Sequence, residues 1–531
     1  MLLKKILVTV IIVMAACQFS SAQISTKDKL NAALTAIQKN YVDSLSDQTL
    51  TDAAIKGMFT SLDPHSKYFS AKEAQEMKTM MSGSFVGIGI QYITQNDSVF
   101  ITQIIPGGPA EKGGVMPGDR ILKIDSVVVT GARLSNMDIL KKIRGTNKSP
   151  IRLELYRQAL KKIITVNLIR GAVADHSVRG AFMLNSDIGY ISIGIFSQTT
   201  QPEIEDALKS LKKQGMKSLI LDLQGNGGGY VEAALGVADE FLKKDQMVYY
   251  TVDRDKGRDY YYASASGTSW GGKLVVLVDQ NTASASELLA GALQDWDRAV
   301  IVGRRTFGKG LTQRPVPLPD GSVLELTGGR LFTPAGRTVQ KPYKGVNYNA
   351  DITNRYLSGE LLSDKPITLP DSLKAHTLVN KRVIYNHSGI SPDKLVPLDT
   401  LQDAAWLKAV AATGAVNQAA WQLVDEHRDA LRSAYPDFNS FNTGYKVAQR
   451  KVNEIARLAE KQGIKLPVHN KERIFDLLAL EIKAEIAAQL FSGHEYYLRV
   501  ISKENTSIRE AINILNNGRQ YSAYLDGAKA L

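Results

Sequence analysis

Two predominantly apolar runs in the middle of the chain limit the folds it can adopt. Residues 218–223 read Ser-Leu-Ile-Leu-Asp-Leu, and residues 274–278 read Leu-Val-Val-Leu-Val. Runs without polar alternation are typical of parallel strands whose two faces are both covered by helices. A strand predicted over 189–193 and an amphipathic helix predicted over 203–213 continue the pattern. The sequence therefore predicts an α/β domain over 187–340.

The segment after the second apolar run contains candidate catalytic groups. It reads Asn-Thr-Ala-Ser-Ala-Ser-Glu over 281–287 and Thr-Phe-Gly-Lys-Gly over 306–310. Ser284 is predicted to lie at a strand-to-helix junction, where the free amides of a helix N-terminus favour negative charge. A serine hydroxyl is a poor nucleophile unless a neighbouring base takes its proton. Lys309 is the candidate base, provided that burial or nearby groups lower its pKa.

The distribution of the other candidate bases favours this pair over a Ser-His-Asp triad. No histidine lies between His176 and His376, so the sequence around the candidate serine lacks one. We interpret His65, in Leu-Asp-Pro-His-Ser, as part of a structural turn rather than as a base. Lys273 and Lys341 are alternative bases, and we expect both to be exposed to solvent.

Composition and motifs exclude several classes of function. The net charge of +12 is moderate, and the lysines and arginines are dispersed rather than clustered beside aromatic residues, which argues against nucleic-acid binding. The chain lacks His-Glu-x-x-His, and its glycine turn at 225–229 is not followed by Lys-Ser/Thr. We therefore predict neither a metal nor another cofactor.

The N-terminus has the pattern of an export signal. Lys4 and Lys5 precede an apolar run, 6–16, that is too short to span a membrane comfortably. We predict cleavage after Ala22. A loose lipobox before Cys17 leaves lipid anchoring to a membrane open as the alternative. Cys17 is the only cysteine, so disulfides and cysteine–zinc sites are excluded.

Short β-runs with glycine turns begin near Gly83, and they resemble a PDZ domain. A Pro-Gly-Asp turn lies at 117–119, and a helix is predicted over 135–143. Amides freed by a glycine loop can hold a terminal carboxylate while a strand edge pairs with an extended peptide. The alternative is a small β-domain used only for packing. The candidate peptide-binding residues are Phe85, Gly87, Ile88, Gly89 and Ile90.

The blocks Thr-Ala-Ser-Ala-Ser-Glu, Thr-Phe-Gly-Lys-Gly and a following glutamine resemble the carboxyl-terminal processing proteases, which are Ser-Lys peptidases with a PDZ domain. The resemblance extends from about residue 30 to residue 399. It implies Ser284 as the nucleophile, Lys309 as the general base and Gln313 as the group that orients the lysine. Ser286 is the competing serine, and the family's spacing to the lysine favours Ser284.

The resemblance also implies an oxyanion hole formed by the backbone amides of Gly228 and Ala285. Close approach of a backbone to a substrate favours glycine. The chain departs from the family at Gln224, where an arginine usually follows Asp-Leu. Loss of that guanidinium is expected to change how the oxyanion turn is supported.

The architecture that follows is a multidomain α/β chain with a crotonase/ClpP-like α/β serine protease core and an inserted PDZ domain, flanked by an N-terminal helical segment and a C-terminal helical domain. An apolar stripe at four-residue spacing in the last domain predicts core packing or a homodimer contact. The predicted boundaries are 1–22 for the signal peptide, 24–82 for the helical segment, 83–168 for the PDZ domain, 169–399 for the core and 400–531 for the helical domain.

The predicted function is that of an exported, periplasmic serine endopeptidase that captures the exposed C-termini of proteins or peptides and cleaves them. We also expect the PDZ domain to gate activity. Two alternatives remain: a non-catalytic PDZ scaffold of the cell envelope, and an acyl-thioester enzyme with a crotonase-like core. Export away from coenzyme A argues against the latter.

Overall fold

The computed structural model describes residues 25–95, 97–131, 134–268, 270–367, 369–386, 388–398 and 402–527. The predicted signal peptide and Cys17 lie outside these residues. Of the helices described, none combines the length and apolarity that crossing a membrane requires. The chain divides into two compact units: residues up to Ala71 with Pro315–Leu326, and Lys72–Arg314 with the chain from Thr327 onward.

The first unit contains two capped helices and a short strand. The side chain of Ser25 accepts the N–H of Asp28 at the start of the first helix, and Ser46 caps the second in the same way. The carboxylate of Asp63 accepts the main-chain N–H groups of the next turn, at residues 65 and 66, as expected of a structural turn around His65. The elements are α1 (Thr26–Asn40), α2 (Asp47–Phe59) and β1 (Lys67–Phe69), and β1 pairs antiparallel with residues 323–325.

The predicted PDZ region forms a β-domain around a core of isoleucine, leucine and valine side chains. Its sheet has the strand order β3-β4-β5-β7-β8, with β6 paired to β5, and a separate ribbon of β2 and β9 joins the two ends of the domain. Its elements are β2 (Ser84–Gly87), β3 (Ile90–Gln95), β4 (Ser98–Ile104), α4 (Pro109–Lys112), β5 (Arg120–Ile124), β6 (Val127–Val128), α5 (Asn136–Ile143), β7 (Pro150–Arg157), β8 (Lys162–Ile169) and β9 (Gly171–Ala174), following α3 (Ala71–Met81).

The next region is an α/β domain built on a six-stranded sheet of order β10-β11-β12-β15-β16-β21, in which β11 to β21 run parallel. The two apolar runs form β12 and β15 at its centre, and both are buried almost throughout, so their prediction is confirmed. The strands are β10 (Val178–Met183), β11 (Ile188–Ile193), β12 (Ser218–Asp222), β13 (Met247–Val252), β14 (Arg258–Tyr262), β15 (Lys273–Val278), β16 (Val300–Gly303), β17 (Leu311–Pro317), β18 (Val323–Phe332), β19 (Lys374–His376), β20 (Val383–Tyr385) and β21 (Lys394–Leu395). The helices are α6 (Thr200–Lys213), α7 (Val231–Asp239), α8 (Ala285–Asp295) and α9 (Asp351–Leu357).

The C-terminal region is helical, as predicted, and contacts both preceding domains. The ring of Trp421 packs edge-on against Phe100 of the β-domain at 4.5 Å between centroids, and the Tyr521 hydroxyl accepts the N–H of Leu274 in β15. The apolar stripe along 474–490 is buried in the core of this region. The helices are α10 (Gln402–Ala412), α11 (Ala415–Ala434), α12 (Phe438–Gly444), α13 (Gln449–Lys461), α14 (Lys471–Leu490), α15 (His494–Ile501), α16 (Thr506–Asn516) and α17 (Gly518–Asp526).

Candidate active site

Ser284 occupies the sharp turn between β15 and α8. Its backbone has φ 58° and ψ −118°, a conformation that L-residues rarely adopt. Such strain costs about 1–3 kcal/mol and persists where the surrounding structure imposes it. A serine on a strained strand-to-helix turn is typical of hydrolase nucleophiles. The residue is 7% exposed, whereas the residues that follow it in α8 are almost fully buried.

Hydrogen bonds fix this turn to the loop that follows β12. One carboxylate oxygen of Asp279 accepts the main-chain N–H groups of Asn281, Thr282 and Gly225 at 2.9–3.0 Å. The hydroxyl of Thr282 donates to the carbonyl of Leu223 at 2.8 Å. Hydrogen bonds therefore join the segments that follow β12 and β15, two adjacent parallel strands, close to Ser284 in the chain.

Glu287 connects the turn of Ser284 to the loop of Lys309. Its Oε2 accepts the main-chain N–H of Ser284 at 2.9 Å and that of Lys309 at 2.8 Å. Its Oε1 accepts the N–H of Gly308 at 2.7 Å and the hydroxyl of Thr306 at 2.5 Å. The backbones that carry the two predicted catalytic groups therefore meet at one fully buried carboxylate.

Sequence reasoning assigned no role to Glu287. Burial raises the pKa of this carboxyl group to about 7, while its four hydrogen bonds act in the opposite direction. A glutamate three residues after a serine at a helix start is the capping-box pattern, and this spacing is the signal that could have drawn attention to it.

The two serines of the motif have different environments. The hydroxyl of Ser286 is fully buried and donates to the carbonyl of Asn226 at 3.1 Å. Ser284 retains some exposure at the strained position. This difference favours Ser284 as the nucleophile.

The predicted oxyanion residues lie beside Ser284, but one of their amides is engaged. A methyl group on Gly228 would lie 2.8 Å from the Ser284 Cβ and 3.1 Å from the nitrogen of Ala285. The N–H of Gly228, however, donates to Oδ1 of Asn226 at 2.8 Å, and the amide of Asn226 is itself held by the carbonyl of Ile193. The arrangement therefore differs from the implied oxyanion hole, because an Asx turn occupies one donor.

Gln224 supports the end of β12 in place of the arginine that the resemblance implies. Its main-chain N–H and its side-chain amide both donate to the buried carboxylate of Asp222, at 2.8 and 3.2 Å. The hydroxyl of Tyr190 donates to the same carboxylate. Burial raises the pKa of Asp222 to about 6, and these hydrogen bonds oppose the shift.

The remaining candidates are Gln313 and the two alternative bases, Lys273 and Lys341. Nε2 of Gln313, on β17, donates to the carbonyl of Leu311 at 3.2 Å and to the hydroxyl of Thr327 at 3.3 Å, so its orienting role stays a prediction. Lys273 is half-buried and donates to the helical domain. Lys341 is 2% exposed, so the expectation that it faces solvent was wrong. It packs under the loop of Lys309, where aromatic rings and an aspartate cover its ammonium group.

Comparison with known proteins identifies the family. Family models match residues 187–352 as Peptidase family S41, 75–156 as PDZ domain, 12–73 as Activating protease CtpB N-terminal domain and 406–493 as Family of unknown function (DUF8443). The chain is 32% identical over 345 residues to a carboxy-terminal-processing protease of Bartonella bacilliformis, with 64% of this chain and 78% of the relative covered. The chain belongs to the carboxy-terminal processing proteases.

Other relatives of this protease agree. The carboxy-terminal processing protease CtpA of Bacillus subtilis is 36% identical over 320 residues, covering 60% of this chain and 67% of the relative. A solved photosystem II D1 C-terminal processing protease is 30% identical, covers 59% of this chain and 89% of its own, and gives a TM-score of 0.34. The family models and the curated relatives make this protease a serine endopeptidase with a PDZ domain. The predicted fold class is confirmed, and membership of this family favours a peptidase over the two alternative functions.

The PDZ domain of the protease has an edge strand beside a helix, and the space between them is its candidate peptide groove. Within the described residues β3 lies at the edge of its sheet, with α5 beside it, and the hydroxyl of Tyr92 on β3 donates to the carbonyl of Asn136 at 3.0 Å. The predicted glycine loop, 87–90, joins β2 to β3 at the end of this groove, and Gly89 has φ +79°.

The predicted peptide-binding side chains contribute unequally to this groove. Ile88 is fully buried and its carbonyl accepts the N–H of Ala110, so its side chain belongs to the core. Phe85, on β2, is half-buried beneath the guanidinium of Arg144, which lies 5.0 Å from its ring centroid. Only the backbone amides of the loop and the edge of β3 therefore remain as the candidate peptide contacts near Ile88.

Proposed function

We propose that this protease cleaves polypeptides with a Ser284–Lys309 dyad after its PDZ domain has captured the C-terminal carboxylate of the substrate. The observation that carries the proposal is the shared carboxylate of Glu287, which holds the main chains of both residues. The strained backbone of Ser284, and its 7% exposure beside the fully buried Ser286, support the same assignment.

In the proposed reaction, Lys309 takes the proton of the Ser284 hydroxyl as the oxygen attacks the scissile carbonyl. The N–H of Ala285, at the N-terminus of α8, faces the developing oxyanion, and the helix dipole favours the negative charge there. The N–H of Gly228 becomes a second donor if it leaves Asn226. Lys309 then protonates the leaving amine, and activates the water that hydrolyses the acyl-enzyme. Gln313 orients the lysine amine.

We further propose that the protease is exported to the periplasm, cleaved after Ala22 or anchored by lipid at Cys17. The pattern of the first 22 residues supports export. Leu30 on α1 and Tyr41 directly after its end are exposed by 43% and 54%, which supports the helical segment as a homodimer contact. The PDZ domain gates the active site in this proposal.

Amidation of the substrate tail is expected to weaken binding to the PDZ domain by about 10- to 100-fold. The glycine loop would lose a charged acceptor, and hydrogen bonds to charged groups contribute about 1.5–3 kcal/mol. The measurement is fluorescence anisotropy of a labelled apolar peptide, with a free or an amidated C-terminus, titrated with the Ser284→Ala chain. Equal affinity for both peptides would contradict capture through the carboxylate.

The proposed function is tested by incubating a loosely folded protein with an apolar C-terminus with residues 23–531, and with Ser284→Ala and Lys309→Ala. Cleavage is expected from the wild-type chain alone, with both variants folded by circular dichroism. Undiminished cleavage by Ser284→Ala would show that the nucleophile is another residue. Undiminished cleavage by Lys309→Ala would contradict the proposed Ser284–Lys309 dyad.

A further inference from the structure

The loop that carries Lys309 is held from two sides. On one side Thr306, Gly308 and Lys309 donate to Glu287. On the other side the loop meets residues 341–362, here named the brace segment, which contain α9 and lie between β18 and β19 in the chain. The brace segment has no part in the dyad, yet it contributes several buried charged side chains at this contact.

Arg355 of the brace segment makes the most direct contact. It is 4% exposed, and its guanidinium donates to the carbonyl of Arg305 at 2.6 Å and to that of Thr306 at 3.2 Å. Its Nε donates to Glu360 at 2.9 Å. Glu360 in turn accepts two hydrogen bonds of 2.8 Å from Arg305. Two guanidinium groups and one carboxylate thus enclose the backbone at the start of the loop.

Lys341, at the start of the brace segment, contacts the loop of Lys309 further along, at residues 307 and 308. Its N–H donates to the carbonyl of Gly308 at 3.0 Å. Its ammonium nitrogen lies 3.7 Å from the ring centroid of Phe307 and 4.1 Å from that of Tyr348, with a carboxylate oxygen of Asp351 at 3.3 Å. The burial of this cation lowers the pKa of Lys341 and is offset by the rings and the aspartate.

The loop needs such support because of its composition. Gly308 and Gly310 flank Lys309, and glycine has more conformational freedom than other residues. Thr306 is bonded on several sides: its hydroxyl donates to Glu287 and accepts the N–H of Ile390, and its carbonyl accepts Arg355. Loss of Arg355 would remove one constraint at the start of the loop, while the N–H groups of Gly308 and Lys309 stay bonded to Glu287.

We propose that Arg355 is a positioning residue for Lys309: it holds the carbonyls of residues 305 and 306 so that the lysine three positions later meets Ser284. This inference rests on the proposed dyad and deepens it. Arg355 acts through the loop and touches no reacting atom, and Glu360 and Lys341 support it.

The test is the steady-state kinetics of Arg355→Met in residues 23–531 with a peptide substrate that has an apolar C-terminus. A displacement of about 1 Å can cost about 100-fold in rate, so kcat is expected to fall about 10- to 100-fold while KM changes less than about twofold. The acid limb of the kcat–pH profile is also expected to change, because it reports the protonation of the base in the proposed dyad. The kcat of Arg355→Lys, which retains one donor group, should lie between those of the wild type and of Arg355→Met.

Arg298→Met is the matched control. Arg298 also donates to two main-chain carbonyls, those of Phe241 and Trp270, and burial lowers the pKa of Arg298 as it does that of Arg355. Its loss should lower the melting temperature of the chain without changing kcat or the pH profile. Glu360→Gln, which keeps the side-chain volume, serves as a second variant if Arg355→Met fails to fold, and should shift kcat and the pH profile in the same direction.

The outcomes separate the two proposals. If Arg355→Met has the kcat and the pH profile of the wild type, the positioning role is overturned. If only Glu360→Gln folds, the same result in that variant overturns it. An equal loss of kcat in Arg298→Met overturns it too. If Lys309→Ala retains wild-type activity, the dyad itself is wrong and the positioning role falls with it. If Lys309→Ala is inactive and Arg355→Met is fully active, only the positioning role is lost.

Discussion

Glu287→Gln is expected to lower kcat by at least about 100-fold while peptide binding to the PDZ domain stays unchanged. The carboxylate accepts four hydrogen bonds from Ser284, Thr306, Gly308 and Lys309. The glutamine side chain has the same shape but only one acceptor oxygen, and its NH₂ group would face two of these hydrogen-bond donors. Each donor left unpaired costs about 1–3 kcal/mol, so the turn and the loop are expected to separate.

This prediction is checked by comparing kcat with the affinity for a tail peptide in the same preparation. Glu240→Gln is the matched control, because Glu240 is another fully buried glutamate of the core that accepts hydrogen bonds, in its case from Thr268. Its kcat should stay within about twofold of the wild type. Wild-type kcat in Glu287→Gln would show that the shared carboxylate does not hold the catalytic geometry.

Gly228→Ala is the second change with a large expected effect, a loss of about 100- to 1000-fold in kcat. The added methyl group would lie 2.8 Å from the Cβ of Ser284 and 2.9 Å from the carbonyl of Ala283, at a backbone position with φ +103°. Ser284 or the glycine turn must therefore move. The loss of one oxyanion donor alone typically costs about 100- to 1000-fold.

The neighbouring glycine provides the control. A methyl group on Gly227 would meet no atom of the described residues within 4 Å beyond its chain neighbours, and Gly227 has an ordinary φ. Gly227→Ala should keep kcat within about twofold. The measurement is kcat for both variants, with melting temperatures to confirm folding. Equal activity of the two variants would contradict the close approach of Gly228 to the nucleophile.

Much of the fold follows from local patterns that the sequence displays. The apolar runs at 218–223 and 274–278 are long enough to predict strands buried on both faces, and they form the centre of the parallel sheet. The stripe along 474–490 predicts a buried helix face, and α14 buries it. In both cases the apolar pattern extends over enough residues to predict the element and its buried face without knowledge of the tertiary contacts.

The departures from the predictions arise from side-chain contacts that the spacing of residues does not specify. Lys341 resembles any surface lysine in the sequence, but residues 307, 348 and 351 enclose its ammonium group. The engaged amide of Gly228 depends on how the side chain of Asn226 turns, which spacing does not specify. The role of Glu287 requires the Lys309 loop to return to α8, a contact 22 residues apart in sequence.

The most direct test of the dyad is the rate and site of labelling by a fluorophosphonate, which phosphonylates an activated serine hydroxyl and releases fluoride. Peptide mass spectrometry is expected to find the adduct on Ser284 in the wild-type chain. Labelling of Lys309→Ala should be at least about 100-fold slower, because the hydroxyl has lost its base. An adduct on Ser286, or an undiminished rate in Lys309→Ala, would contradict the assignment of Ser284 and Lys309.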